Sequence, residues 1–102
     1  MSAFYDALET RNPVERETAL LAALPQQIAH AQNNSPAFAK SLQGIDAKIF
    51  TTREALAKLP VIRKHELLQQ QLAQRANNVF GGFAAIGFGK AMPRVFASPG
   101  TI

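Results

Sequence analysis

The sequence predicts an α-rich chain: a helical N-terminal region leading into the first strand of an incomplete α/β sheet. Three observations predict it. Over the first two-thirds, apolar residues recur at helical spacing between prolines and capping residues. At Asn77 the composition changes, and four of the six glycines fall within residues 79–89. A short β-prone run, Arg94-Val95-Phe96-Ala97, then ends in a Ser-Pro-Gly-Thr turn. The division drawn from this is a helical region over 1–76 and a Gly-rich aromatic loop with one strand over 77–102.

The elements follow in order. A short helix is expected over about Ala3 to Glu9. Asn12-Pro13-Val14-Glu15 starts the next, with Asn12 as N-cap, Pro13 at the first helical position and Glu15 completing a capping box. Leu20, Leu21, Leu24 and Ile28 give that helix one apolar face as far as about Gln32. Pro25 lies inside the pattern and should kink or split it, because proline has no N–H and its ring crowds the preceding turn. Ser35 and Pro36 open a short helix with Phe38 and Leu42 on one face, and Gly44 is placed to end it. Thr51-Thr52-Arg53-Glu54 reads as a capping box with Thr51 as N-cap; Leu56 and Leu59 then face inward and Pro60 stops the helix. A last helix over about Arg63 to Arg75 carries Leu67, Leu68 and Leu72, with Gln69, Gln70 and Gln71 on its wet side. Ile62 precedes it, and an apolar N-cap costs on the order of 1 kcal/mol.

A lone strand cannot satisfy its ladder hydrogen bonds. The expectation is therefore that partners for residues 94–97 lie beyond Ile102 or on another chain, and that the sequence is part of something larger.

The totals bound the function. The chain has 102 residues, 47% of them apolar, and a net charge of +4. Residues 1–50 carry four basic and five acidic groups; residues 51–102 carry seven and two, with no acid after Glu66. A basic half can attract nucleic acid, anionic lipid or a phosphorylated small molecule. The Phe-rich segment has no interleaved Arg or Lys and no recognised motif, which speaks against nucleic acid. No run approaches the roughly 18 apolar residues of a membrane span. Cysteine is absent, so there is no disulfide framework and no thiolate site. Met1 to Asp6 has neither the basic nor the apolar region of a signal peptide, and a cytoplasmic location is expected.

Few residues bear chemistry. A strand leading into Ser98, Gly100 and Thr101 would present hydroxyls and backbone N–H groups to phosphate; an ordinary β-turn accounts for the same pattern. Arg63 and Lys64 could meet a phosphate or simply face solvent. His30 and His65 lack a second ligand at metal spacing and read as surface residues. Phe83, Ile86 and Phe88 could line a binding loop, though core packing explains them more simply.

The order of the pieces carries a resemblance. Tyr5-Asp6-Ala7-Leu8-Glu9-Thr10-Arg11 is followed by Glu15-Arg16-Glu17 and Leu20-Leu21, by Gln27-Ile28-Ala29-His30-Ala31, and by Ser35-Pro36-Ala37-Phe38. Then come Leu59-Pro60-Val61-Ile62-Arg63-Lys64-His65-Glu66-Leu67, Phe80-Gly81-Gly82-Phe83-Ala84, and Arg94-Val95-Phe96-Ala97-Ser98-Pro99-Gly100. Together they resemble the N-terminal region of phenylacetate–CoA ligase-like proteins, of the AMP-dependent, adenylate-forming superfamily, over essentially the whole chain. The resemblance implies an incomplete adenylate-forming domain. Its parent would join an aryl-acetic acid to coenzyme A, using ATP and magnesium and releasing AMP and pyrophosphate. Ser98, Gly100 and Thr101 match the start of the family's phosphate loop, while Pro99 and Ile102 depart from its hydroxyl positions. The remaining active-site parts would lie downstream, so this fragment is expected to be inactive alone and to bind no cofactor tightly. Its partner would be the rest of the ligase chain. The other reading is a small helical interaction module that pairs with a separate chain by strand addition.

Overall fold

The computed structural model describes residues 3–98, and among them every named element is a helix or a 3₁₀ turn. A 3₁₀ turn over Ala7–Thr10 comes first, with the Asp6 carboxylate accepting from the Leu8 N–H at 2.9 Å. It is shorter than the helix expected from Ala3. Helix α1, Pro13–Asn34, begins with Pro13 in the first turn and Asn12 Oδ1 accepting from the Val14 N–H at 2.8 Å; Glu15 stands in that first turn, but the capping box expected of it is not formed.

Pro25 does not split α1, which runs on as one helix to Asn34. Proline leaves the Leu21 carbonyl without its usual donor, a cost of about 3 kcal/mol in a helix interior. Packing offsets it: Leu24 on one side and Ile28 on the other are both held against the core.

Helix α2, Pro36–Ser41, turns off at Ser35, whose backbone is extended. Gly44, at a φ of 79°, sits in the turn that follows, as its position suggests. A 3₁₀ turn over Ala47–Ile49, capped by Asp46, returns the chain to α1. Helix α3, Arg53–Leu56, is a single turn. Its cap is Thr52, not Thr51: Thr52 Oγ1 accepts from the Ala55 N–H at 3.1 Å. The Thr-Thr pair offers two candidate caps one residue apart, and the helix starts after the second. Helix α4, Lys64–Gln74, has Arg63 at its N-cap, and the Glu66 carboxylate accepts from the Arg63 N–H at 3.2 Å. The cap is thus Arg63, one residue after the expected Ile62.

The core is small. Ile28, Leu42, Ala47 and Phe50 are buried, with Leu24, Phe38, Ile45, Ala55 and Leu59 against them. Gln32 fastens it: its amide donates to the Leu42 carbonyl at 3.1 Å and to the Ile45 carbonyl at 2.8 Å. These bonds tie the last turn of α1 to both ends of the turn after α2.

The expected strand at 94–97 is not formed. Among the described residues there is no strand, only an isolated bridge between Gly89 and Met92. Residues 93–98 are exposed and have no regular structure. A β-prone run becomes a strand only when a neighbour takes its hydrogen bonds, and no strand neighbour lies among the described residues.

Candidate functional site

Ser98 is the one member of the expected phosphate loop that falls within the described residues, and it is exposed in the irregular segment. Gly100 and Thr101 lie outside the described residues. No cluster of three His, Asp or Glu side chains that could hold a metal ion occurs among the described residues. No step through ATP or magnesium is assigned to the described residues. Arg63, Lys64 and His65 are all exposed around the start of α4.

What the fold does build are contact surfaces. The first is a clasp. Asn78 Oδ1 accepts from the Phe80 N–H at 3.1 Å and starts a tight turn. Gly81 and Gly82 follow with φ of 66° and 84°, a region that side chains disfavour. Both glycines are buried. A Cβ on Gly81 would come within 2.8 Å of the Gln71 Cα on α4, so the loop meets that helix backbone to backbone. On the other side the Gly82 carbonyl accepts from the Ala37 N–H at 2.9 Å and from Ser35 Oγ at 2.9 Å. Ser35 Oγ also lies 3.2 Å from the Phe83 carbonyl and accepts from the Phe38 N–H at 3.4 Å. Phe83 meets Phe38 edge to face, with ring centres 5.6 Å apart.

Ser35 is only 1% exposed. One hydroxyl thus caps α2 and holds the glycine loop. The sequence marks Ser35 as a cap, but nothing local shows that residues 47 positions on would come back to it. The paired glycines between two phenylalanines were the available signal for close backbone approach. Of the aromatic-segment residues, Phe83 packs within this chain, whereas Ile86 and Phe88 remain exposed.

The second surface is an apolar groove of about 630 Å³ between α1 and α3, walled by Leu20, Leu21, Leu24 and Leu56, with His30 at one side. Arg53 on α3 donates to the Glu17 carboxylate on α1, bridging the two helices. That bond, and then the charge of Glu17, raise the Arg53 guanidinium above its ordinary value. The expectation that Leu56 faces inward is met only in part, since it lines this open groove. His30 is within 3.2 Å of the Asn34 amide, which also donates to the His30 carbonyl at 2.9 Å. The groove offers shape and apolar surface.

The third surface is α4. Leu67, Leu68 and Leu72 are 36%, 50% and 48% exposed, so its apolar stripe lies open. No helix among the described residues is long and apolar enough to cross a membrane.

Comparison with known proteins adds no relative: no family model matches the chain, and it has no significant match among curated proteins or solved structures.

Proposed function

We propose that this chain is the helical N-terminal region of an ATP-dependent acyl–CoA ligase of the adenylate-forming type, and that its own part is to pack rather than to react. The observation that carries the reading is surface. The chain exposes 8493 Å², whereas a compact protein of 11.1 kDa exposes roughly 5,700 Å². Its radius of gyration is 16.6 Å, against about 13 Å for a compact domain of this length. Roughly 2,800 Å² is thus open beyond the compact expectation, and much of what is open is Leu, Val and Phe. Such a surface suits a region whose core is completed by more protein. The ordered motifs from Tyr5 to Gly100 supply the kind of protein.

In the parent, a carboxylate would attack the α-phosphate of ATP to give an acyl-adenylate and pyrophosphate. The coenzyme A thiol would then displace AMP and form the thioester. Magnesium would screen the phosphates in the first step. Ser98, Gly100 and Thr101 would open the phosphate loop. Aryl-acetic acids are the substrate class the resemblance suggests, and the setting would be cytoplasmic.

The second reading, an interaction module that adds a strand to another chain, draws on the open segment 93–98, where Phe96 is 86% exposed. One experiment separates the two. The native gene product is isolated, its intact mass measured, and its ATP–pyrophosphate exchange followed with phenylacetate and other aryl-acetates. A product several times heavier than 11.1 kDa that exchanges pyrophosphate and forms the thioester supports the ligase reading. A product of 11.1 kDa, or a longer one without exchange, overturns it in favour of the module.

A further inference from the structure

The open face of α4 carries a charge pattern as well as an apolar one. Lys64, Leu68, Leu72 and Arg75 follow one another at i, i+4, i+8 and i+11, the spacing of a single helical stripe. At 1.5 Å per residue the two cations stand roughly 16 Å apart along it. Both leucines are about half exposed. Neither Lys64 nor Arg75 makes an ion pair among the described residues, where Arg53–Glu17 is the one such pair. Glu66, two residues from Lys64, is the one acid near them in sequence; after it no acid follows, while Lys90 and Arg94 add to the positive field. Glu66 itself is engaged at the helix start.

This pattern selects what can cover the stripe. Burying Leu68 and Leu72 also draws two cations out of water, and a purely apolar surface would leave them unpaired at high cost. The cover must bring anions at both ends of an apolar middle. A second copy in an isologous pairing lays cation against cation and is repelled. A helix lying in an anionic membrane carries its cations on the face opposite the apolar one; here the cations terminate the leucine stripe itself, which suits a partner of finite length.

We propose that α4 docks an acidic amphipathic helix of a partner protein, one that sets apolar side chains between two carboxylates roughly 16 Å apart, the span of eleven helical steps. Leu68 and Leu72 meet the apolar middle; Lys64 and Arg75 meet the two carboxylates. This holds whether or not the parent is a ligase, so the pyrophosphate-exchange assay and the binding test below can fail separately.

The test uses the full 102-residue chain and a fluorescein-labelled helical peptide carrying Glu, Leu, Leu and Glu at i, i+4, i+8 and i+11. Its twin has Gln in place of both Glu. Fluorescence anisotropy should show the acidic peptide binding about fivefold more tightly than the twin, with the preference shrinking as salt rises. The doubly charge-reversed chain, K64E with R75E, should lose about tenfold in affinity for the acidic peptide while keeping its far-ultraviolet circular dichroism. Should that variant lose helix, K64Q with R75Q must show the same direction of change. Equal binding of the two peptides overturns the proposal. So does binding confined to phosphatidylserine vesicles, or self-association in sedimentation equilibrium that the peptide cannot displace.

Discussion

Residues 13–59 and residues 63–98 are both rich in large apolar side chains, yet only the first stretch makes a core of them. In the first, α1 is long enough to present a face that α2 and the 3₁₀ turn after it can meet, and Ile28, Leu42 and Phe50 close together. Gln32 fastens the two sides through the Leu42 and Ile45 carbonyls. In the second, α4 has eleven residues and its leucines are exposed and lie outside that core. A helix of that length is marginal by itself, and the glycine loop holds it mainly at Gln71, whose backbone meets Gly81 and whose amide donates to the Val79 carbonyl at 3.4 Å. The difference teaches that a periodic apolar face announces a need for cover without naming what supplies it. It also gives the comparison an energetic form: substitutions in the first region should be felt by the whole fold, those in the second by little.

The largest effect should come from Phe50→Ala. Phe50 is 4% exposed and central to a core of only four buried side chains. Truncating a buried phenylalanine costs about 3–5 kcal/mol, comparable to the whole stability of a small domain, about 5 kcal/mol at the lower end. Urea denaturation followed by circular dichroism should show a transition collapsed toward zero denaturant. An unchanged midpoint would mean that this core does not hold the molecule.

Ser35 joins the two regions, so its substitutions sharpen the contrast. Ser35→Ala removes both the cap of α2 and the donor to Gly82, and should cost about 1–3 kcal/mol. Ser35→Gly keeps the capping position within a few tenths of a kcal/mol but still removes that donor. Hydrogen exchange at the Ala37 amide, which is bonded to the Gly82 carbonyl, reads the clasp alone. Both variants should speed it. If neither does, the glycine loop is held by the Phe38–Phe83 contact and not by the hydroxyl.

Much of the helical layout is written in short-range chemistry. Asn12, Pro13, Ser35 and Gly44 each act within a turn of their own position, and each does in the fold what its neighbours in sequence suggest. The failures lie where a distant group decides. Pro25 reads as a break until Leu24 and Ile28 are seen packed on either side of it. The run at 94–97 reads as a strand, but pleated backbone needs a partner that sequence cannot display. The groove between α1 and α3 was hidden for a related reason: the spacing of Leu20, Leu21 and Leu24 defines a face, while Leu56 across from it becomes visible only once the chain has turned twice. Of the phosphate-loop residues, Ser98 gains no companion among the described residues, so the ligase reading stands on motif order and open surface, not on an assembled site.

The smallest effect should come from Leu68→Ala, and it tests the comparison most directly. Leu68 is as apolar as any residue of the core, so composition alone would rank its loss beside that of a core leucine, at about 2–5 kcal/mol. Its exposure says otherwise. Half of the side chain already meets water, it lies outside the core, and alanine has the higher helix propensity. The stability change should stay within about 0.5 kcal/mol, measured by the same urea titration used for Phe50→Ala. Binding should separate from stability: a residue that contributes little to the free chain loses its contact only when the acidic peptide is present, so the variant should weaken that complex while leaving the unfolding midpoint in place. A drop of several kcal/mol in the free chain would show that Leu68 is already covered, and the division between a closed and an open region would have to be redrawn with α4 inside the core.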